Sequence, residues 1–528
     1  MSSFEAPIDA IADEIWELED PDLMPTMDDW LLMFNRLTNF GTDWPIHGHF
    51  DADAFLRNFM RVSPALRLIL CAGAAARYIE NPAVKFNYYN RARKAVLHAL
   101  ERPPSLETVI ACTGVVSFAY AFSQLEVGNQ FLLWSIKMCV ELRLNTDPDE
   151  SPWLYALNLS PRQKEERRRV CWSVVVRYAW NMALLNDEMS FDIDCSNLKA
   201  PSAVYDDQPI FVSCAMMKTE CETLQSIAKI KRHFMVPPQS IYELFYSKKY
   251  ADFHLCYTAV LSNFPRNLLL ESSLVESISP TEEIEFIAKV KASEDFIVHL
   301  KMNINGAKSI LHRPRMMVSG LASFAPNRLS SEQRVLMADS ITTCVTCALR
   351  NIELFNFGTR QSRQGPFGFD SGADSLFEAI IVIWFIYCRM NPEWWNYLSY
   401  RVVDFKVLRI NLTQVVEFLF GLERLEVGRL ASASPRLQCT WAMLVEIDQV
   451  TLLGLPTLSI DNMDLNVAGL ELGLKIMSLG KDSNFKEDDA VITEPLAFMG
   501  LLGAQVSDGI RWKGRSEESW RLFWKLNG

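Results

Sequence analysis

Residues 167–173 read Arg-Arg-Arg-Val-Cys-Trp-Ser and lie in the most informative helical segment of the chain. Ahead of them, Ser160 and Gln163 have the spacing of a helical capping box, with Pro161 at the first helical position. After them, apolar residues recur at helical spacing, at positions 170, 174, 178, 182 and 185. The pattern predicts a long helix that begins at Ser160 and is buried on most sides.

The three arginines of this helix have two competing interpretations. One is a basic patch for phosphate binding or nuclear import, and the other is a solvated, salt-bridged first turn. Consecutive helical residues point about 100° apart, so the three side chains do not share one face. Runs shorter than about five like charges say little about binding. We therefore expect the solvated, salt-bridged turn.

Charge is concentrated at the amino end of the chain. The 528 residues carry a net charge of −12, and residues 1–30 hold ten acidic residues and no Lys or Arg. The rest of the chain is close to neutral, which argues against a basic surface that binds nucleic acid. The 12 cysteines lie mostly in apolar runs, as reduced intracellular thiols do. No secretory signal or membrane-spanning run stands out, so we expect a soluble, intracellular protein with no membrane partner.

Helical signals dominate the chain, and the sequence predicts an all-α fold with flexible acidic ends. Later helices are predicted at 281–311, 331–356, 374–389, 402–426 and 436–450. We divide the chain into an acidic, partly disordered segment (1–27), a helical domain (28–455) and a carboxy-terminal segment (456–528) with an acidic loop and a terminal amphipathic helix.

Six motifs in a fixed order give the chain its resemblance to a known family. One of the six is the segment 160–194, and together they resemble the regulatory domain of fungal-specific transcription factors, also called the middle homology region of binuclear zinc cluster proteins. The resemblance covers about residues 30–450. The other five motifs are Trp44-Pro45-Ile46-His47, Tyr88-Tyr89-Asn90-Arg91-Ala92-Arg93, Pro104-Ser105-Leu106-Glu107-Thr108-Val109, the segment from Trp134 to Asp147, and Ser309-Ile310-Leu311-His312-Arg313-Pro314, which matches a family turn.

The resemblance implies a large multi-helix, orthogonal or bundle-like regulatory domain. It implies regulation of RNA polymerase II transcription in the nucleus, with no catalytic, cofactor-binding or metal-binding residue in this chain. The family-signature residues, to which it assigns a structural role, are Arg168, Arg169, Trp172, Asp192, Asp194, His312, Arg313 and Pro314. The chain departs from the family at Tyr178-Ala179 and at 186–188, where an Asp-Arg pair and a Gly-Arg-Pro turn are common.

The six-cysteine zinc cluster that binds DNA in this family is absent from the sequence. No cysteine precedes Cys71, and the one Cys-x-x-Cys pair, Cys344 and Cys347, has no second pair nearby. We expect no cofactor, with zinc and DNA binding only if a missing amino-terminal cluster is restored or a partner supplies one. Three explanations stay open: a gene model lacking its first exon, a true loss of the domain, or a co-regulator or scaffold that acts through a DNA-bound partner.

Acidic and apolar residues interleave over residues 13–32, a composition found in disordered activation segments. The candidate anchors for a partner groove are Trp16, Leu18, Leu23 and Met24. An acidic first helix that caps the domain explains residues 13–24 equally well, and from Asp28 onward it is the preferred interpretation. Expected partners are a second subunit, the transcription machinery and a small-molecule effector.

An enzyme is the competing class of function. Asn186-Asp187-Glu188-Met189-Ser190 with Asp194 imitates half of the metal motif of all-α terpene cyclases, but the facing aspartate-rich motif is absent. We expect Cys344 and Cys347 to be buried thiols. The aromatic residues Trp134, Trp172, Tyr178 and Trp384 have the composition of an effector pocket, and a place in the core is the preferred interpretation.

Overall fold

The computed structural model describes most of the residues between 20 and 398 and a few segments beyond them. The described ranges are 20–39, 52–79, 81–121, 124–185, 193–202, 204–205, 208–209, 212–234, 241–262, 264–265, 268–270, 280–293, 295–320, 324–358, 371–398, 408–416, 443–444, 447–448, 450–451, 504–506 and 510–512. They confirm the all-α prediction, with helices packed on one another around one apolar core.

The amino-terminal half holds eight helices within the described residues. Helices α3, α4, α5 and α6 pack in sequence, and α8 crosses α5 and α6. Proline precedes or opens several of them, where its missing N–H costs no hydrogen bond. The bounds are α1 (Met27–Asn39), α2 (Ala52–Arg57), α3 (Pro64–Tyr78), α4 (Pro82–Ala99), α5 (Leu106–Ala121), α6 (Leu125–Glu141), α7 (Pro152–Tyr155) and α8 (Pro161–Leu185).

The carboxy-terminal half is centred on three long helices that contact one another, α13, α14 and α15. Helix α9 packs against both α8 and α13 and so joins the two halves. The bounds are α9 (Val212–Phe234), α10 (Ile241–Tyr246), α11 (Lys248–Ser262), α12 (Pro280–Ala292), α13 (Asp295–Val318), α14 (Ser331–Gly358) and α15 (Ser371–Cys388). Short 3₁₀ turns cover Phe59–Arg61, Pro326–Arg328 and Pro392–Tyr397.

Two predicted elements differ from the observed ones. The helix predicted over 281–311 is two helices, α12 and α13, because the polar stretch between Lys291 and Asp295 ends one and begins the next. In the carboxy-terminal segment, Ala504–Val506 pairs antiparallel with Ile510–Trp512. Trp512 therefore lies in a strand and not in the terminal amphipathic helix predicted for this segment. A second short antiparallel pair joins Val204–Tyr205 to Gln208–Pro209.

The core is deepest along α15, which is buried on every side from Leu376 to Ile386. Trp384 has no exposed surface, and Trp172 is also buried, so both are core residues as preferred. Trp134 and Tyr178 are partly buried and pack against the same core. Within the described residues, the helices do not combine the length and apolar character needed to cross a membrane.

Candidate functional site

The helix of the opening segment, α8, begins as its sequence predicts. The Ser160 N–H donates to Gln163 Oε1 at 3.0 Å, and the Gln163 N–H donates back to Ser160 Oγ at 3.3 Å. This reciprocal pair satisfies two donors at the helix start, with Pro161 between them. The capping box fixes where the helix starts and hence which way the arginines about two turns later point.

Arg168 forms the central contact of the site with Asp147. Its Nε donates to Asp147 Oδ2 at 2.9 Å and its Nη2 donates to Oδ1 at 2.8 Å. The buried Asp147 carboxylate also accepts the N–H groups of Asp149 and Lys199, at 3.0 and 3.1 Å. Desolvation alone would raise the pKa of Asp147, but the hydrogen bonds from Arg168 and the two backbone groups outweigh it and hold the pKa at about 2.

Arg169 lies on the next face of the helix and binds a different carboxylate. Its Nε donates to Glu165 Oε1 at 3.1 Å, and its Nη2 donates to the Ser202 carbonyl at 3.0 Å. The same Glu165 oxygen accepts the Ser202 N–H at 2.6 Å. Both side chains are buried, so this pair ties residues 193–202 to the first turns of α8.

We name Arg167, Arg168 and Arg169, with Asp147 and Glu165, the arginine clamp. Arg167 donates to the Leu142 carbonyl, so all three arginines contact segments that flank the helix. The prediction that this turn is salt-bridged is confirmed, whereas the prediction that it is solvated is wrong, since all three arginines are buried. The sequence does not reveal the burial because the covering segments are distant in the chain.

The other described signature residues near the clamp, Trp172 and Asp194, form hydrogen bonds within the chain. The Trp172 indole N–H donates to the Lys199 carbonyl at 2.8 Å, which adds a further anchor for residues 193–202. Asp194 is exposed; its Oδ1 accepts the Ser196 N–H at 2.9 Å, and its carbonyl accepts Asn145 Nδ2 at 3.3 Å. Asp192 and the cyclase-like residues 186–190 lie outside the described residues.

A second polar cluster surrounds His312 on α13. The Tyr250 hydroxyl lies 3.0 Å from His312 Nδ1, and Ser340 Oγ lies 3.3 Å from the same nitrogen. Burial, followed by the positive charges of Arg315 and Lys308 and by His254, lowers the pKa of His312 to about 3. Burial also raises the pKa of Tyr250 to about 12. The imidazole is therefore neutral at physiological pH and acts as a hydrogen-bonding group rather than a charge.

Arg313 and Pro314 follow His312 on the same helix. Arg313 pairs with Glu378 of α15 in the core, and Glu378 Oε1 also accepts the Ser309 hydroxyl at 3.2 Å. Burial lowers the pKa of Arg313 to about 10, although Glu378 opposes the shift. The motif was expected to form a turn, and this is wrong: Pro314 lies inside α13, which continues to Val318.

Arg315 also belongs to the second cluster, although it is not among the residues predicted from the sequence. Its guanidinium carbon lies 3.5 Å from the centre of the Tyr250 ring. Its Nε and Nη2 donate to the carbonyls of Leu244 and Phe245, at 3.0 and 2.8 Å, and so bind the end of α10. The sequence does carry a signal for this role: Arg315 comes directly after the Ser309–Pro314 motif and is followed by the apolar residues 316–318.

The candidate activation anchors divide into different environments. Leu23 is 1% exposed and belongs to the core, so the prediction that it is available to a partner groove is wrong. Its carbonyl accepts Arg67, which draws the turn at residues 20–24 onto α3. Met24 is 38% exposed and keeps its candidate role, and Trp16 and Leu18 lie outside the described residues.

Asp29 behaves as the preferred capping interpretation predicts. Its two carboxylate oxygens accept Arg91 Nη1 and Nη2, both at 2.9 Å, and one of them accepts the Thr26 N–H at 3.2 Å. Burial would raise the pKa of Asp29, but Arg91 and Thr26 together lower it. An acidic residue at the start of α1 thus closes the helix onto α4 rather than facing a partner.

Cys344 and Cys347 are buried, as predicted, and burial raises the pKa of both thiols. Cys344 Sγ lies 3.5 Å from the Ser309 carbonyl, within the core between α13 and α14. His47 and His49 lie outside the described residues. Within the part of the chain that is described, no three His, Cys, Asp or Glu side chains are grouped as metal ligands would be.

The clamp and the His312 cluster offer internal contacts. No protein-family model, curated protein or solved structure matches the chain. The three arginines of the clamp use their donors on carboxylates and carbonyls of the same chain, so they do not form a free phosphate-binding surface. The contacts between the motifs are therefore the evidence that bears on function.

Proposed function

We propose that this chain is the helical regulatory domain of a transcription regulator. The observation that carries the proposal is the Arg168–Asp147 contact, because each residue belongs to a different motif of the resemblance. Asp147 ends the motif that begins at Trp134, and Arg168 lies in the motif that begins at Ser160. Chance likenesses scattered along a chain have no reason to meet as a buried, bidentate ion pair.

The same contact accounts for why the arginines would not read DNA. The Arg168 guanidinium uses one edge on the buried Asp147 carboxylate and its other donors on Glu165 and Asp149, so it cannot also neutralise a phosphate. The net charge of −12 points the same way. In the proposed function, DNA contact comes from a zinc cluster joined to this domain or carried by a partner, and the domain itself acts on other proteins.

The exposed face of α1 supports a protein partner. Exposed apolar residues recur three or four positions apart, at Met24 just before the helix and at Met27, Leu31 and Phe34 within it, and Met27 is the most exposed at 62%. Acidic residues, among them Asp20, Asp22 and Asp28, lie in the same stretch. Apolar anchors interleaved with acidic residues are the pattern by which activation segments enter a partner groove.

A reporter assay tests the proposal. The full chain is fused to a heterologous DNA-binding domain, and transcription from a promoter with its binding sites is measured against the DNA-binding domain alone. We expect the fusion to change transcription and Met27→Ala with Met24→Ala to weaken the change. The matched control is Tyr242→Ala on α10, which is 71% exposed and removes an apolar surface group from another face.

A further inference from the structure

Two cysteine thiols meet beside the arginine clamp. Cys171 lies on α8 and is buried, whereas Cys195 lies in the segment 193–202 and is partly exposed. Their sulfur atoms are 3.9 Å apart although the residues are 24 positions apart in the chain. A third thiol, Cys139 at the end of α6, is hydrogen-bonded to Cys171.

The segment that carries Cys195 is anchored on both sides of the cysteine. Before it, the Asp194 carbonyl accepts Asn145 Nδ2 at 3.3 Å. After it, the Leu198 N–H donates to the Cys195 carbonyl at 3.0 Å, and Trp172 binds the Lys199 carbonyl. The two sulfur atoms are therefore held near each other, and a disulfide requires the gap between them to close from 3.9 Å to about 2 Å.

We propose that Cys171 and Cys195 are a reversible oxidation site, whose substrate is a peroxide and whose product is an intramolecular disulfide. The partly exposed Cys195 reacts first: its sulfur takes one oxygen from hydrogen peroxide to form a sulfenic acid, and one water leaves. The Cys171 sulfur then attacks the Cys195 sulfur, the S–O bond breaks, and a second water leaves with the Cys171 proton. Two thiols are oxidised and one peroxide is reduced to two waters.

The environments of the two thiols fit this order of events. Exposure gives peroxide access to Cys195, and burial denies it to Cys171. The hydrogen bond with Cys139, together with burial, raises the pKa of Cys171 well above its usual value, so Cys171 is a thiol at rest and gives up its proton to the departing water as it attacks. A thiol reductant would reverse the reaction, as expected of a sensing disulfide inside a cell.

The disulfide would lock one side of the clamp. Residues 193–202 supply Ser202 to Arg169 and the Lys199 N–H to Asp147. A covalent bond from Cys195 to α8 would keep these contacts in place and resist their thermal opening. This inference goes beyond the proposed function and does not depend on it.

The experiment treats the reduced, full-length chain with hydrogen peroxide, blocks the remaining thiols and digests the protein without reductant. We expect mass spectrometry to find a peptide pair joined through Cys171 and Cys195, lost on reduction, and a raised midpoint of thermal unfolding. Cys195→Ser should abolish the pair. Cys256→Ser is the matched control, because Cys256 is exposed and lies outside the cluster, and it should leave the pair unchanged.

Three results would overturn the proposal. They are both thiols left unreacted by peroxide with no joined peptide, Cys195 oxidised to a sulfinic acid with no joined peptide, and a joined peptide that pairs Cys195 with Cys139 instead. Mapping of the unsubstituted chain decides among the three even if a variant fails to fold. Because no reporter enters this experiment, its failure leaves the proposed function standing.

Discussion

Arg168 and Asp147 form a bidentate ion pair that joins the chain after α6 to the first turns of α8. The two hydrogen bonds measure 2.9 and 2.8 Å, and the carboxylate has no exposed surface. A charge buried this completely is tolerable only because every partner is in place. The pair therefore holds two segments that are 21 residues apart in one relative position. Its loss should destabilise the whole amino-terminal half.

Asp147→Asn should lower the free energy of unfolding by about 3 kcal/mol, because it removes the buried charge that pairs bidentately with Arg168 and leaves that guanidinium with Asp149 and Glu165 only. Urea unfolding at pH 7 measures the change. The control is Glu166→Gln, which removes a partly exposed pair with Arg162 at 3.4 Å and should cost less than about 0.5 kcal/mol. Equal losses in the two variants would show that the clamp does not stabilise the fold.

His312 should stay neutral far below the pH at which histidine usually ionises. Its folded pKa of about 3 lies below its unfolded value, so its contribution to stability is complete above about pH 6.5 and is lost as pH falls toward 3. At pH 5 the loss should reach about 2 kcal/mol. His312→Gln should therefore lose less stability than the unsubstituted chain between pH 7 and pH 5. A ring titration near pH 6.5 by NMR would contradict this environment.

Glu220 should show the opposite pH dependence. Burial, opposed in part by Arg177, raises its pKa to about 7. A raised carboxyl pKa makes its contribution to stability complete below about pH 4.5, and this contribution is lost as pH rises through 7. Glu220→Gln should thus be more stable than the unsubstituted chain at pH 8, by about 3 kcal/mol at most, and the difference should vanish near pH 4. The half-exposed Glu222→Gln is the control and should show neither effect.

Gly114 allows α5 to approach α3 closely. A methyl group at this position would overlap Ile69 Cγ1 and lie 3.1 Å from its Cδ1. Gly114→Ala should therefore cost about 1–3 kcal/mol, although alanine is the better helix former. Ile69→Ala removes the overlapping atoms, so the double variant should lose less stability than the sum of the two single changes. Strict additivity would show that the cost of Gly114→Ala does not come from its overlap with Ile69.

Features that depend on residues within one helical turn could be predicted from the sequence, whereas contacts between residues distant in the chain could not. Ser160 and Gln163 form the capping box that their spacing indicates, because both partners lie within one turn. The burial of Arg169 depends on Ser202, which is 33 residues away and has no periodic signal. For the same reason the sequence leaves Leu23 open between a partner groove and the domain, since its contact with α3 comes from Arg67, 44 residues further along.

The break between α12 and α13 carried a local signal that an apolar count overlooks. The stretch from Lys291 to Asp295 contains Ser293 and charged residues, which are typical of a helix end followed by a helix start. Pro314 gave the reverse error, because proline usually marks a turn. The helix continues past it where Arg315 binds the end of α10 and the residues from Met316 to Val318 are buried.

Transcription from a reporter, driven by the full chain on a heterologous DNA-binding domain, tests the central claim most directly. The fusion and the DNA-binding domain alone are compared at equal protein levels, with Asp147→Asn as the variant that disrupts the clamp. We expect a change in transcription with the intact chain and a loss of that change in Asp147→Asn at temperatures where this variant unfolds. Transcription equal to that of the DNA-binding domain alone, from a fusion shown to be folded and nuclear, would contradict it.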